Sequence, residues 1–272
     1  MAWIILLCLL LPSAAFAEAP IVTWMMVDTP PFHIAEGPMR DQGIRDRQQE
    51  MLRHLLPQFE HRRIVATAAR NWHDLQHNDG VCIIGVVHTP ERDAIASYSA
   101  RGEPGNVNSE LIIKKARVVA IRKHLTADLS VDLSSLAQNS YLIGGYQPAR
   151  AYSTQILDLI ADQAKPLHLD PVITVAQMFN LLEANRLDFF LAKPIEAAFF
   201  AEQAAKKVNY VALRIKGMDA PKPTHVACSN APTGRAVIAT IDSLMQDEAR
   251  WQSFVAIGTN WEGAHILPAL TK

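Results

Sequence analysis

The chain has 272 residues, 26 of them basic and 27 acidic, so it carries a formal net charge of −1. That balance excludes a nucleic-acid binder working through a basic face. There is no low-complexity tract and no repeat of solenoid period, and past residue 17 no apolar run approaches the length of a bilayer span.

Residues 1–17 read as a cleaved signal peptide: an apolar stretch from Trp3 to Leu11, a break at Pro12, and the small-x-small pattern Ala15-Phe16-Ala17 before Glu18. No Lys or Arg precedes the apolar stretch. Residues 18–272 then suffice for one large domain or two lobes. Two cysteines remain, Cys82 and Cys228, each in an apolar, strand-like run. Export makes a disulfide possible, and two inert buried thiols are the alternative.

Strand and helix signals alternate, as in an α/β fold with a mostly parallel sheet. A strand is expected over 21–27, closed by Pro30-Pro31. A helix follows over 44–56, with Ile44, Met51, Leu52, Leu55 and Leu56 on one face and Pro57 as its stop. Next come a strand over 63–68, a helix over 72–77 capped by Asn71, a turn at Asn78-Asp79-Gly80, and a strand from Val81. Residues 101–106 form a turn-rich break. Strands are expected near 109–113 and 117–121. A second α/β set places strands at 141–145, 167–169, 188–191 and 210–213, and helices at 149–162, 175–184 and 194–205. Residues 216–223 read as a connection. A strand over 225–229 and helices over 233–245, capped by Thr233, and 248–255 end the chain, too short a segment to stand alone. The tail is expected to return to the first lobe, giving two lobes joined by two crossing strands with a cleft between them.

The most informative motif is Thr89-Pro90-Glu91-Arg92, directly after the apolar run Val81–His88. A strand ending in arginine delivers a permanent cation, with a planar fork suited to a carboxylate, to the edge where open α/β sheets bind ligands. Gly144-Gly145-Tyr146-Gln147 ends the first strand of the second set. The helix start expected near Ala149-Arg150 would offer free N–H groups to an anion, with Gln147, Arg150 and Ser153 as added donors. His73 and His77 share a helix face, but no third ligand is evident and no metal or cofactor is expected. No Gly-x-Ser-x-Gly elbow exists, and Ser97, Ser99 and Ser153 lack recognisable catalytic partners; an acid/base pair of Glu91 and Asp28 is the one enzymatic arrangement conceivable, and no enzyme is expected.

These residues resemble a periplasmic solute-binding protein of family 3, with the two-lobed type II periplasmic binding fold and two crossing hinge strands. The resemblance rests on Asp28-Thr29-Pro30-Pro31-Phe32, Gly43, Thr89-Pro90-Glu91-Arg92, Ser97-Tyr98-Ser99 and Asn185-Arg186-Leu187-Asp188-Phe189-Phe190, in that order along the mature chain. It is closest to an uncharacterised subgroup with a Trp in the first strand, here Trp24. It implies a signal peptide over 1–17, a discontinuous first lobe over 18–112 and 224–272, and a second lobe over 113–223. It also implies a periplasmic monomer that binds a small anionic or amino-acid-like solute by lobe closure, for an ABC importer; the alternative is a sensing module for a membrane signalling protein.

Within the resemblance, Arg92 pairs with the ligand carboxylate beside Thr89. Thr29 lies at the covering loop, and an aromatic lid would come from Phe32 or Trp24. Two departures are visible: Gly85 and Val87 stand where relatives carry hydroxyls, and Lys193 stands where relatives carry the aspartate that holds the ligand ammonium. Arg92 with Lys193 suits a ligand with two acidic groups, or one acidic group and several acceptors. The resemblance also sets the third strand beside the returning one, which implies a Cys82–Cys228 bridge.

Overall fold

A computed structural model describes residues 18–105, 108–138, 141–148, 150, 152–161, 168–204, 209–218 and 220–264, with residues 262–264 by backbone only. The signal-peptide reading therefore lies outside the described residues, as do Asn106, Ala149, Asp162, Leu167 and Ala205.

The first sheet takes its strands from both ends of the chain. β1 (Ile21–Met26), α1 (Ile44–Leu55), β2 (Glu60–Val65), α2 (Ala68–His77), β3 (Val81–Val87) and β4 (Ala96–Tyr98) come first. After β5 (Glu110–Lys114) the chain forms the short helices α3 (Val118–Ile121) and α4 (Leu133–Leu136), then β6 (Gly144–Tyr146), α5 (Thr154–Ala161), β7 (Leu169–Pro171), α6 (Val175–Glu183), β8 (Phe189–Ala192), α7 (Pro194–Gln203) and β9 (Tyr210–Leu213). β10 (Thr224–Ser229), α8 (Pro232–Leu244) and α9 (Glu248–Ala264) complete it. The strand orders are β2-β1-β3-β10-β4 and β7-β6-β8-β5-β9. β10 runs antiparallel to β3, and β5 antiparallel to β8 and β9, while the other pairs among β1–β3 and β6–β8 are parallel. Residues 110–112, read as the end of the first lobe, pair in the second sheet.

Both sheets are covered on both faces, and the strand period of two sorts the side chains. Trp24, Cys82 and Ile84 pack with α1, α8 and α9, while Met25, Val81 and Ile83 pack against Leu75 of α2 on the other face. In the second sheet Leu111, Ile113, Phe189 and Leu191 face one core, and Ile112, Phe190 and Ala192 face the other. Gly144 serves this packing: a Cβ there would stand 2.3 Å from the Phe189 ring.

Several local expectations are corrected. Residues 117–121 are helical, not a strand, because Val118 and Ile121 lie one turn apart against the second core. β2 begins at Glu60, three residues early, where it pairs with Ile21. α2 starts at Ala68 and its cap is Thr67, whose hydroxyl accepts from Arg70 N at 3.3 Å; Asn71 is buried inside the helix. α8 is capped from afar: the Asp79 carboxylate accepts from Thr233 N at 2.9 Å and Gly234 N at 3.1 Å, so Thr233 is capped rather than capping. α5 begins at Thr154, five residues later than expected.

Candidate functional site

The two sheets are joined by residues 99–109 and 214–223, which pair where they leave the first sheet. Glu103 N donates to Thr224 O at 2.8 Å and Thr224 N to Glu103 O at 3.1 Å. α1 holds this point from beneath. Arg45, buried, bonds the Glu103 carboxylate, Gln48 Oε1 at 2.6 Å and Thr224 Oγ1 at 3.2 Å. Gln48 bonds the other Glu103 oxygen and Phe254 O at 3.2 Å. Gly85, at φ +81°, makes room: a Cβ would lie 2.4 Å from Arg45 Nε. Sequence reasoning missed this network. Arg45 and Gln48 occupy helix positions that face the core, but no sequence pattern joins them to Glu103, 55 residues or more away.

Arg92 closes a single 3₁₀ turn, Pro90–Arg92, that follows β3, with its N–H bonded to Thr89 O at 3.0 Å. Its guanidinium carbon sits 3.9 Å from the centroid of the Trp72 ring, a cation–π contact that orients the charge without neutralising it. The Tyr98 hydroxyl is buried close to Arg92, and burial raises its pKa while the Arg92 charge opposes the rise. The His88 ring lies tilted against Tyr98 with centroids 4.5 Å apart, and its Nε2 meets Asp93 Oδ1 at 2.6 Å.

Thr29 pairs with His33 across the 28–34 loop, and its hydroxyl donates to Val27 O at 3.1 Å. Phe32, in the same loop, is half-buried, and Lys193 Nζ reaches to 5.0 Å from its ring centroid. That contact joins the loop after β1 to the residue after β8, across the two sheets. Trp24 is no lid: it is 1% exposed in the first core and donates from Nε1 to His61 Nδ1 at 3.0 Å. Val87 ends β3 opposite Thr224.

In the second lobe the expected anion donors are tied to one another. Arg150 Nη2 bonds Glu196 Oε1 at 2.7 Å and Gln147 Oε1 at 2.7 Å; Gln147 Nε2 donates to Ile173 O at 2.8 Å. Burial works against the charge of Arg150, and Glu196 outweighs it, raising the pKa. The second Glu196 oxygen accepts from Lys193 N at 3.0 Å. Ser153 Oγ accepts from Ile156 N at 3.4 Å and donates to Met218 Sδ at 3.1 Å. These groups form a closed structural network, and Tyr146 packs at its edge, 6.5 Å from the Tyr152 ring.

A second residue missed from sequence is Glu110. It opens β5 beside Ala192, the residue before Lys193. Burial raises its pKa, with the Arg214 charge opposing. Cys82 and Cys228 face each other across β3 and β10 and are joined in a disulfide with Cα atoms 4.0 Å apart. Of the serines once weighed for catalysis, Ser97 donates to Asn230 Oδ1 at 3.2 Å and Ser99 to Arg101 O at 3.0 Å, both structural bonds. Asp28 accepts from Ala35 N at 3.0 Å.

No protein-family model matches the sequence, and no characterised protein matches it by sequence. Solved structures match by shape. An ancestral arginine-binding protein bound to glutamine superimposes with a TM-score of 0.63 at 13% identity, over 91% of this chain and 99% of that one. The chain has the two-lobed periplasmic-binding-protein fold. A histidine kinase sensor domain with similarity to periplasmic binding proteins gives 0.62 at 13% identity, over 92% and 98%. An amino acid ABC transporter substrate-binding protein from Streptococcus pneumoniae, bound to L-arginine, gives 0.58 at 16% identity, over 87% and 92%. Among the described residues no helix is long and apolar enough to cross a membrane.

Proposed function

We propose that this protein is an exported, periplasmic binding protein that captures a small amino-acid-like or anionic solute between its two lobes by hinged closure, without covalent chemistry. The observation that carries the reading is Arg92, presented at the end of β3 on the Trp72 ring and in no ion pair with an acidic side chain among the described residues. Lys193 and Phe32, which already meet from opposite lobes, supply a cation and an aromatic surface to the same gap. Glu110, beside the strand end that carries Lys193, adds one acidic group. Arg92 offers a fixed cation to an acidic group of the solute, and Glu110 an acidic group to its amine.

The ligand selects the closed form by bridging the lobes. Closure removes water from around Arg92. A charge pair at 4 Å worth about 1 kcal/mol in bulk water is worth about 4 kcal/mol at an effective dielectric of 20. The buried Arg45–Glu103 network keeps the start of the hinge with the first lobe, so bending falls beyond Glu103.

Two partners fit a closed form: an ABC importer or the sensor region of a signalling protein. The sensing reading is favoured by one feature, the Arg150–Glu196–Gln147 network, which removes polar groups of the second lobe from ligand contact. A monomer serves either role. A thermal-shift screen across amino acids, dicarboxylates, peptides and phosphorylated metabolites tests the capture reading. A hit should be accompanied by a fall in the radius of gyration in solution scattering. Stabilisation with unchanged dimensions would contradict hinged closure. Importer or kinase genes beside the coding gene separate the two roles.

A further inference from the structure

α2 carries a feature that solute capture does not use. His73 and His77 stand one turn apart on its exposed face, ring centroids 4.3 Å apart and planes inclined by 31°. Each ring has its Nδ1 held by an oxygen: His73 by Asp74 Oδ1 at 3.3 Å, His77 by the His73 carbonyl at 2.7 Å. An oxygen acceptor keeps the proton of a neutral imidazole on Nδ1 and leaves the lone pair on Nε2. Asp74 is itself fixed, its other oxygen taking Arg70 Nε at 2.7 Å. Two neighbouring rings in the same tautomer thus offer two nitrogen lone pairs on the solvent side of one helix.

We propose that His73 and His77 form an open two-imidazole site for a divalent transition-metal ion, copper(II) ahead of nickel(II) and zinc(II). Imidazole nitrogen suits all three ions, and intrinsic affinity is greatest for copper(II). Asp74 acts from behind the ligand, orienting His73 as a carboxylate does in histidine–metal sites. Among the described residues no group of three or more His, Cys, Asp or Glu is placed to hold a metal ion. The remaining coordination positions therefore belong to water or to a donor brought by a partner. The site lies on the helix whose Trp72 supports the Arg92 guanidinium, on the first lobe alone, so it does not depend on lobe closure.

The test is calorimetric titration of the untagged mature chain with copper(II) and nickel(II), with electron paramagnetic resonance of the copper complex. One copper per chain with two nitrogen donors is expected. His73→Gln and His77→Gln should each weaken binding at least tenfold, and His54→Gln, on α1, should leave it unchanged, all three variants melting as the parent does. No saturable binding by the parent overturns the proposal. So does binding that survives the double substitution, or that responds to only one of the two histidines.

Discussion

β3 and β6 are each followed by a turn that carries an arginine, Arg92 and Arg150, and the two lobes treat these charges differently. On the first lobe Arg92 lies on the face of Trp72, a contact that does not neutralise its charge. On the second, Arg150 is paired with Glu196 and Gln147 and is part of the scaffold. A count of basic residues near the strand ends would credit both lobes alike. What separates them is whether the partner is a π face or a carboxylate.

The same contrast recurs at the hinge, and breaking it should produce the largest effect. Arg45→Ala leaves Glu103 buried without its cation and should lower the unfolding free energy by about 3–5 kcal/mol, read by urea denaturation. Replacing Cys82 and Cys228 together by serine should remove about 2–5 kcal/mol under oxidising conditions and nothing under reducing ones; thiol titration of the denatured, oxidised parent should find neither free. Glu110→Gln sharpens the comparison from the second lobe. It should weaken an amino-acid ligand about tenfold, or about 1.4 kcal/mol, and leave the matched acid lacking the amine unaffected. The smallest effects belong to local caps: Thr67→Ala on the first lobe, and on the second Thr174→Ala, whose hydroxyl caps α6 by accepting from Gln177 N at 3.1 Å, should each cost about 1 kcal/mol in thermal melts. Equal losses would show that the lobes differ in their charged sites and not in their helices.

Much of the fold was legible because strand and helix periods are local. The strands at 21–26, 81–87 and 210–213 and the helix at 175–183 follow from apolar runs, proline stops and turn residues. Residues 117–121 were misread because valine and isoleucine favour strands in isolation, whereas here tertiary packing uses Val118 and Ile121 at helical spacing. The place of Arg92, in the turn directly after β3, was legible because motif and strand end coincide. Arg45 and Glu103 were not, since their meeting depends on how α1 lies under the hinge, 58 residues apart in sequence. The role of Arg150 depended on Glu196, 46 residues away, which no spacing rule connects to it. Glu110 lay at an element boundary, where sequence patterns carry least information.

The most direct measurement is calorimetric titration of the parent and Arg92→Ala with whichever solute gives the largest thermal shift. Loss of one partner of a desolvated charge pair is worth about 2–5 kcal/mol, so affinity should fall by about 30-fold or more while the melting temperature of the unliganded variant stays within about 2 °C of the parent. Equal affinity in the two proteins would take Arg92 out of the site and contradict the account.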